Sequence, residues 1–191
     1  GSKEYLSVSN TLMYNSFVNR SLNSVDLVMA GLFLSPVLVG AYSIVLKITG
    51  ILLMVQKSFR GILYPVYTKT FKKNGTRGIR SMFIKTTLLI SAVTIFGAIL
   101  LYIFSNTVLD FYSLSEIESI NMVLVILLLA RVVFSFSGTS GSVLITIGAS
   151  KKFLLTDIIS TLVLIISLIV LVPLYQIVGV SLALFISILI M

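Results

Sequence analysis

The sequence predicts an all-α, polytopic membrane protein built as a bundle of six transmembrane helices, and three observations carry that prediction. Of 191 residues, 58% are hydrophobic and 10% charged, against roughly 45–50% and about 25% in soluble domains. Mean hydropathy is +1.14. The apolar runs also approach the length of about 20 residues that a helix needs to cross the hydrocarbon core at about 1.5 Å per residue. Strands of a membrane barrel would instead alternate over segments of about 10 residues.

The six predicted spans are 8–34, 38–65, 83–104, 119–147, 153–172 and 176–191. The first contains "VNRSLNSVDLVMAGLFL", an apolar run interrupted by Arg20, Asn23 and Asp26. On a helix Asn15, Asn19, Asn23 and Asp26 fall at i, i+4, i+8 and i+11, so they make one polar stripe beside a second of Ser16, Arg20 and Ser24. The turn "SPVLVG" (35–40) leads into the second span, where Ser43, Lys47, Gly50, Met54, Lys57, Ser58 and Gly61 share a face. The fourth span carries Arg131, with Ser135, Gly138 and Ser142 on its side of the helix. "PLYQIVG" (173–179) turns the fifth span into the sixth.

Charge sets the orientation. Segment 68–85 holds Lys69, Lys72, Lys73, Arg77, Arg80 and Lys85 and no acid; segment 105–119 holds Asp110, Glu116 and Glu118 and no base; Lys151 and Lys152 follow at the next turn. Bases and acids alternate from loop to loop, which places the basic loops and both ends of this chain on the cytoplasmic side. The formal charge of +8 therefore reads as a topology signal, with no nucleic-acid partner implied. The chain contains neither Cys nor His. That excludes thiol nucleophiles, disulfides and imidazole catalysis, and leaves no case for a bound metal or other cofactor. There is no phosphate-binding Gly-Lys-Ser/Thr loop either. Transport, not catalysis, is the expected activity.

The charges inside the spans then become the candidate site, because an ionisable side chain at bilayer depth faces a bundle interior or a watery cavity. Asp26 and Lys47 are expected about 12–14 Å from the outer turn on adjacent antiparallel helices, within reach of a salt bridge. Arg20 and Arg131 are expected near mid-membrane, about 17 Å in, with no acid at their depth. Lys57 and Arg60 lie within snorkelling reach of the cytoplasmic headgroups. Glu4, Asp110, Glu116, Glu118 and Asp157 are expected at the surfaces, leaving a cationic lumen suited to anions.

The block "SVDLVMAGLFLSPVLVGAYSIVLKITGILLMVQKSFRGILYPVYTK" (24–69) resembles two consecutive helices of the polysaccharide repeat-unit flippases, in the multidrug/oligosaccharidyl-lipid/polysaccharide exporter superfamily. The resembling features are Asp26-x-x-x-x-Gly31, the turn Val39-Gly40-x-Tyr42, and Leu63-x-Pro65-x-Tyr67. "GASKKFLLTDIISTLVLIISLIVLVPLYQIVGVSLALFIS" is similar to their Gly-x-x-Lys turn and Pro-x-x-Gly-x-x-Gly step. The first Gly of that step is replaced here: Tyr175, Gln176 and Ile177 stand between Leu174 and Val178-Gly179. The resemblance covers nearly the whole chain but only the C-terminal half of a family member. It implies half of a fold of twelve or more helices, whose missing N-terminal bundle is one partner.

What the resemblance implies for function is transfer of lipid-linked oligosaccharide, on undecaprenyl pyrophosphate, from the cytoplasmic to the periplasmic leaflet of the bacterial inner membrane. The glycan would serve O-antigen, lipopolysaccharide or capsule synthesis, with polysaccharide polymerase and glycosyltransferases as neighbours. On the residues themselves, Arg20, Arg131 and Lys47 are expected to meet the pyrophosphate and Asn19 and Asn23 the sugar, with Asp26 serving ion coupling or the salt bridge. Two alternatives remain open: a cation-exporting multidrug antiporter, and a non-transporting scaffold for glycan-assembly enzymes. The chain opens on Gly1-Ser2 without Met and closes in the apolar run "LALFISILIM", as expected of a piece of a longer protein.

Overall fold

The computed structural model describes residues 25–191, and every regular element among them is a helix. In chain order these are α1 (Val25–Phe33), α2 (Pro36–Ile103), α3 (Ser105–Phe111), α4 (Ile120–Ser137), α5 (Ser140–Thr146) and α6 (Ser150–Ile190). Three helices are long and apolar enough to cross a membrane: α2, the consecutive pair α4–α5, and α6. The all-α prediction and the apolar helices of a membrane protein therefore hold at this level. The first expected span, 8–34, reaches the described residues only at its end, α1.

α2 and α6 are not straight rods. At 1.5 Å per residue α2 would be about 100 Å long. Yet the Thr70 hydroxyl reaches Met82 Sδ at 3.6 Å, and Leu52 packs where a side chain at Gly97 would stand. Residues so far apart along a helix meet only if it doubles back, and it does so at Gly75 (φ 61°, ψ −153°), a conformation that costs glycine little. Likewise Ser187 Oγ donates to the Ser160 carbonyl at 2.9 Å, because α6 reverses at Gln176 (φ 49°, ψ −126°). The arms are α2a (36–74), α2b (76–103), α6a (150–175) and α6b (177–190).

Boundaries differ from expectation where helix continues beyond the expected spans. The basic segment 68–85 is not a loop: both arms extend through it and only Gly75 leaves helical geometry. Lys and Arg are good helix formers, and a helix does not have to stop at the headgroups. Pro65, expected to close the second span at residue 65, sits inside α2a; a helix tolerates the missing N–H where side chains or neighbouring helices satisfy the freed carbonyl. The 35–40 turn shrinks to Leu34 and Ser35, with Ser35 as N-cap and Pro36 in the first turn. The 119–147 helix breaks at Gly138 (φ 53°).

The second reversal falls where the sequence carries Pro173-Leu174-Tyr175-Gln176, so Gln176 occupies the glycine position of a Pro-x-x-Gly step in a conformation suited to glycine. Strain of this kind costs about 1–3 kcal/mol. Gln176→Gly is expected to stabilise the chain by about 1 kcal/mol, offset by glycine's greater unfolded-state entropy. Denaturant titration in detergent micelles checks it; a destabilised variant would show that Gln176 makes compensating contacts.

Packing joins α2 to α4 and α5, α4 to α6, and α1 to α6. Tyr42, Val45 and Leu52 of α2a meet Leu124 and Leu127 of α4 and Leu168, Val172 and Val180 of α6 in one buried cluster. The 104–119 connection covers one end of the bundle, inserting Leu109 and Leu114. Small residues (Ala30, Ala130, Ala183) are fully buried at the contacts, letting backbones approach closely. Large apolar side chains such as Leu32, Val37, Leu88, Phe96 and Ile166 cover the outside, as a lipid-facing surface requires.

Candidate functional site

A cleft of about 700 Å³ opens between α1, α2a, α4, α5 and both arms of α6. Its wall mixes aliphatic side chains, such as Leu46, Leu53 and Ile188, with a concentrated set of polar ones. The structure brings three of the sequence-predicted residues to this one wall: Asp26, Lys47 and Arg131. Arg20, Asn19 and Asn23 lie outside the described residues, and so does the Arg60 side chain.

Asp26 is buried near the start of α1. Its Oδ2 accepts from the Tyr42 hydroxyl at 3.0 Å and its Oδ1 from the Leu27 N–H at 2.9 Å. Tyr42 is fully buried, so its hydroxyl requires this acceptor. The Arg131 guanidinium on α4 acts electrostatically on both, joining three helices through charge and a hydrogen bond. Lys47, expected to pair with Asp26, is exposed along the lining, five residues on from Tyr42 in α2a.

Arg131 is 94% buried, with a relative exposure of 6%, yet its Nε finds no hydrogen-bond partner among the described residues. The side chain is therefore turned inward, with its Nε left without an acceptor there. Ser135, expected beside it, turns instead to Ser91 of α2b at 3.1 Å and serves packing, while Ser142 does line the cleft. Lys57, expected to snorkel, also lines it.

Two functional candidates escaped the sequence argument. Asp157 was expected at a surface; it is buried on α6a and lines the cleft with Ser160 and Thr161. The correction has a visible signal, since 157, 160 and 161 form an i, i+3, i+4 polar patch on a helix, but Lys151 and Lys152 nearby suggest a boundary. The second is Gln56, buried on α2a with neither amide atom partnered among the described residues. Asp110, Glu116 and Glu118 are exposed, as expected.

The wall thus carries three cationic side chains (Lys47, Lys57, Arg131) and two acidic ones (Asp26, Asp157). Among the described residues no cluster of His, Cys, Asp and Glu could hold a metal ion. Such a wall can hold an anion and several hydroxyl groups while its aliphatic parts lie against a hydrocarbon tail. Comparison with known proteins returned no matching family model, no matching curated protein and no matching solved structure.

Proposed function

We propose that this chain is one helical half of a flippase that carries polyprenyl-pyrophosphate-linked oligosaccharide repeat units between leaflets of a bacterial inner membrane. The single observation that supports it most is Arg131: a buried guanidinium on the wall of a cleft, with Nε unpartnered among the described residues. A guanidinium offers permanent charge and a donor fork that suits phosphate. In this reading the arms described above and the 8–34 run make six spans with cytoplasmic ends. A second bundle completes the pathway, and rocking of one bundle against the other alternates access. Glycosyltransferases stand before it and the polymerase after it.

The test is leaflet transfer of a fluorescent lipid-linked oligosaccharide by the full-length protein in proteoliposomes. Arg131→Gln is expected to slow transfer about tenfold or more, since a hydrogen bond to a charged group contributes about 1.5–3 kcal/mol. Transfer by the wild type no faster than in protein-free vesicles would overturn the proposal.

The two acids favour a second reading, export of organic cations. Asp26 and Asp157 both line the cleft, and a cationic drug would seek such carboxylates. Resistance conferred on a pump-deficient host, with no oligosaccharide transfer in vesicles, would establish that reading instead.

A further inference from the structure

One end of the bundle carries a charge that neither the core nor the cleft uses. Lys69, Lys72, Lys73, Arg77, Arg80 and Lys85 are exposed along the α2 hairpin, and Lys151 and Lys152 are exposed at the start of α6a. α6a starts at the hairpin end, because the Tyr67 hydroxyl meets Thr139 and Gly141, two residues on, stands against the Phe153 ring. Among the described residues no exposed acid accompanies these cations. Asp26 and Asp157 are buried, and Asp110, Glu116 and Glu118 lie in the 104–119 connection, past the far end of α2b.

The hairpin is built to present this charge outward. Between its arms Gly78 stands against Asn74 and Thr70, so closely that an added Cβ would come within 2.6 Å of Asn74 Cβ. The Tyr67 hydroxyl bridges the arms to Thr86 Oγ1 at 2.6 Å. Tyr67 and Ile79 are buried and mark the inward side of each arm. At about 100° per residue, Lys69, Lys72 and Lys73 lie about 140–240° around α2a from Tyr67. Arg77 and Lys85 lie about 160–240° around α2b from Ile79. Helix geometry therefore turns both basic stripes away from the bundle.

Depth narrows what the stripes meet. The last large apolar side chains exposed before the hairpin tip are Val66 on one arm and Ile84 on the other. They stand at nearly the same level, since Tyr67 pairs with Thr86 and Thr70 with Met82. The cations begin where this apolar surface ends, on the same outward flank. From Val66 to Gly75 the arm runs on for about 13 Å. A headgroup layer takes up about 5–8 Å of that, and long basic side chains reach back over the rest as they do when they snorkel. We infer that the outward flank of the α2 hairpin, joined by Lys151 and Lys152, binds the phosphates of several anionic phospholipids. Clusters of about four to eight basic side chains at the end of a membrane helix have this preference.

The test uses the full-length protein in phosphatidylcholine bilayers with a trace of spin-labelled phosphatidylglycerol or phosphatidylcholine, and reads the fraction of each label slowed at the protein surface. Wild type is expected to prefer phosphatidylglycerol about threefold at low salt, averaged over the whole lipid-facing perimeter. Most of that preference is expected to vanish in about 1 M salt, where the screening length is about 3 Å. A variant carrying Lys69→Gln, Lys72→Gln, Lys73→Gln, Arg77→Gln and Arg80→Gln is expected to bring the two lipids near parity at unchanged Tm, because Gln is a good helix former. Lys69→Arg, Lys72→Arg and Lys73→Arg together keep the charge and should keep the preference.

A preference that survives the five Gln substitutions would overturn the assignment, as would equal wild-type affinity for the two lipids. If that equality came with binding of a soluble poly-glutamate peptide that the Gln variant does not bind, the surface would belong to an acidic protein partner and the lipid assignment would fall. None of the eight side chains lines the cleft, so leaflet transfer of oligosaccharide can fail or succeed without changing these outcomes.

Discussion

Gly179→Ala is expected to destabilise the protein by about 3 kcal/mol or more, at the upper end of overpacking effects. A Cβ at this position would overlap the Leu171 carbonyl and come within 3.0 Å of Val172 Cα. Both obstacles are backbone, so no rotamer change relieves them. Gly179 stands three residues after the Gln176 reversal, where α6b returns across α6a, and the two arms touch there main chain to main chain. Pushing them apart would disturb the buried contacts of Val172, Ile177 and Val180 with the rest of the core and shift Ser187 from the Ser160 carbonyl. Gly40, with open space around its Cβ position, supplies the control: Gly40→Ala is expected to be neutral or slightly stabilising through helix propensity. Denaturant titration of both variants in micelles decides it. Similar stability for the two would mean the α6 hairpin is looser than its contacts imply.

The same hairpin shows what a sequence can and cannot disclose. The turn at 173–179 was legible because Pro173 and Gly179 bracket a break in an apolar run, and the break falls at Gln176. The reversal within 68–85 was legible as the link between two spans, but its form, two helical arms meeting at Gly75, was not, because the Lys and Arg residues around it, suited to a loop, suit a solvated helix equally well. Within the site, Asp26, Lys47 and Arg131 were legible because a charge in an apolar span needs a polar surrounding. Asp157 lies six residues from Lys151, where a charge looks like a span end. Gln56 carries no charge and belongs to no stripe, so only its burial without a partner exposes it. Tyr42, an apolar ring by composition, gains its role from where α1 places Asp26, which is a tertiary fact.

That arrangement supports the second large effect. Asp26→Leu is expected to destabilise the protein by about 2–3 kcal/mol, the cost of leaving buried polar groups without the carboxylate they face. Two losses combine: the fully buried Tyr42 hydroxyl loses its acceptor, worth about 1–3 kcal/mol, and the Arg131 guanidinium loses a carboxylate whose charge acts on it. Asp26 and Arg131 both border the cleft, where water attenuates their attraction, so the lower end of the range is expected. Asp26→Asn keeps an oxygen for Tyr42 while removing the charge and should fall between wild type and Asp26→Leu. The decisive measurement is a double-mutant cycle with Arg131→Leu. If the carboxylate and guanidinium stabilise one another across the α1–α4 gap, the double variant will be more stable than the sum of the single losses by about 1–2 kcal/mol. Strict additivity would mean that Arg131 is held independently of Asp26, and that Tyr42 alone accounts for the buried carboxylate.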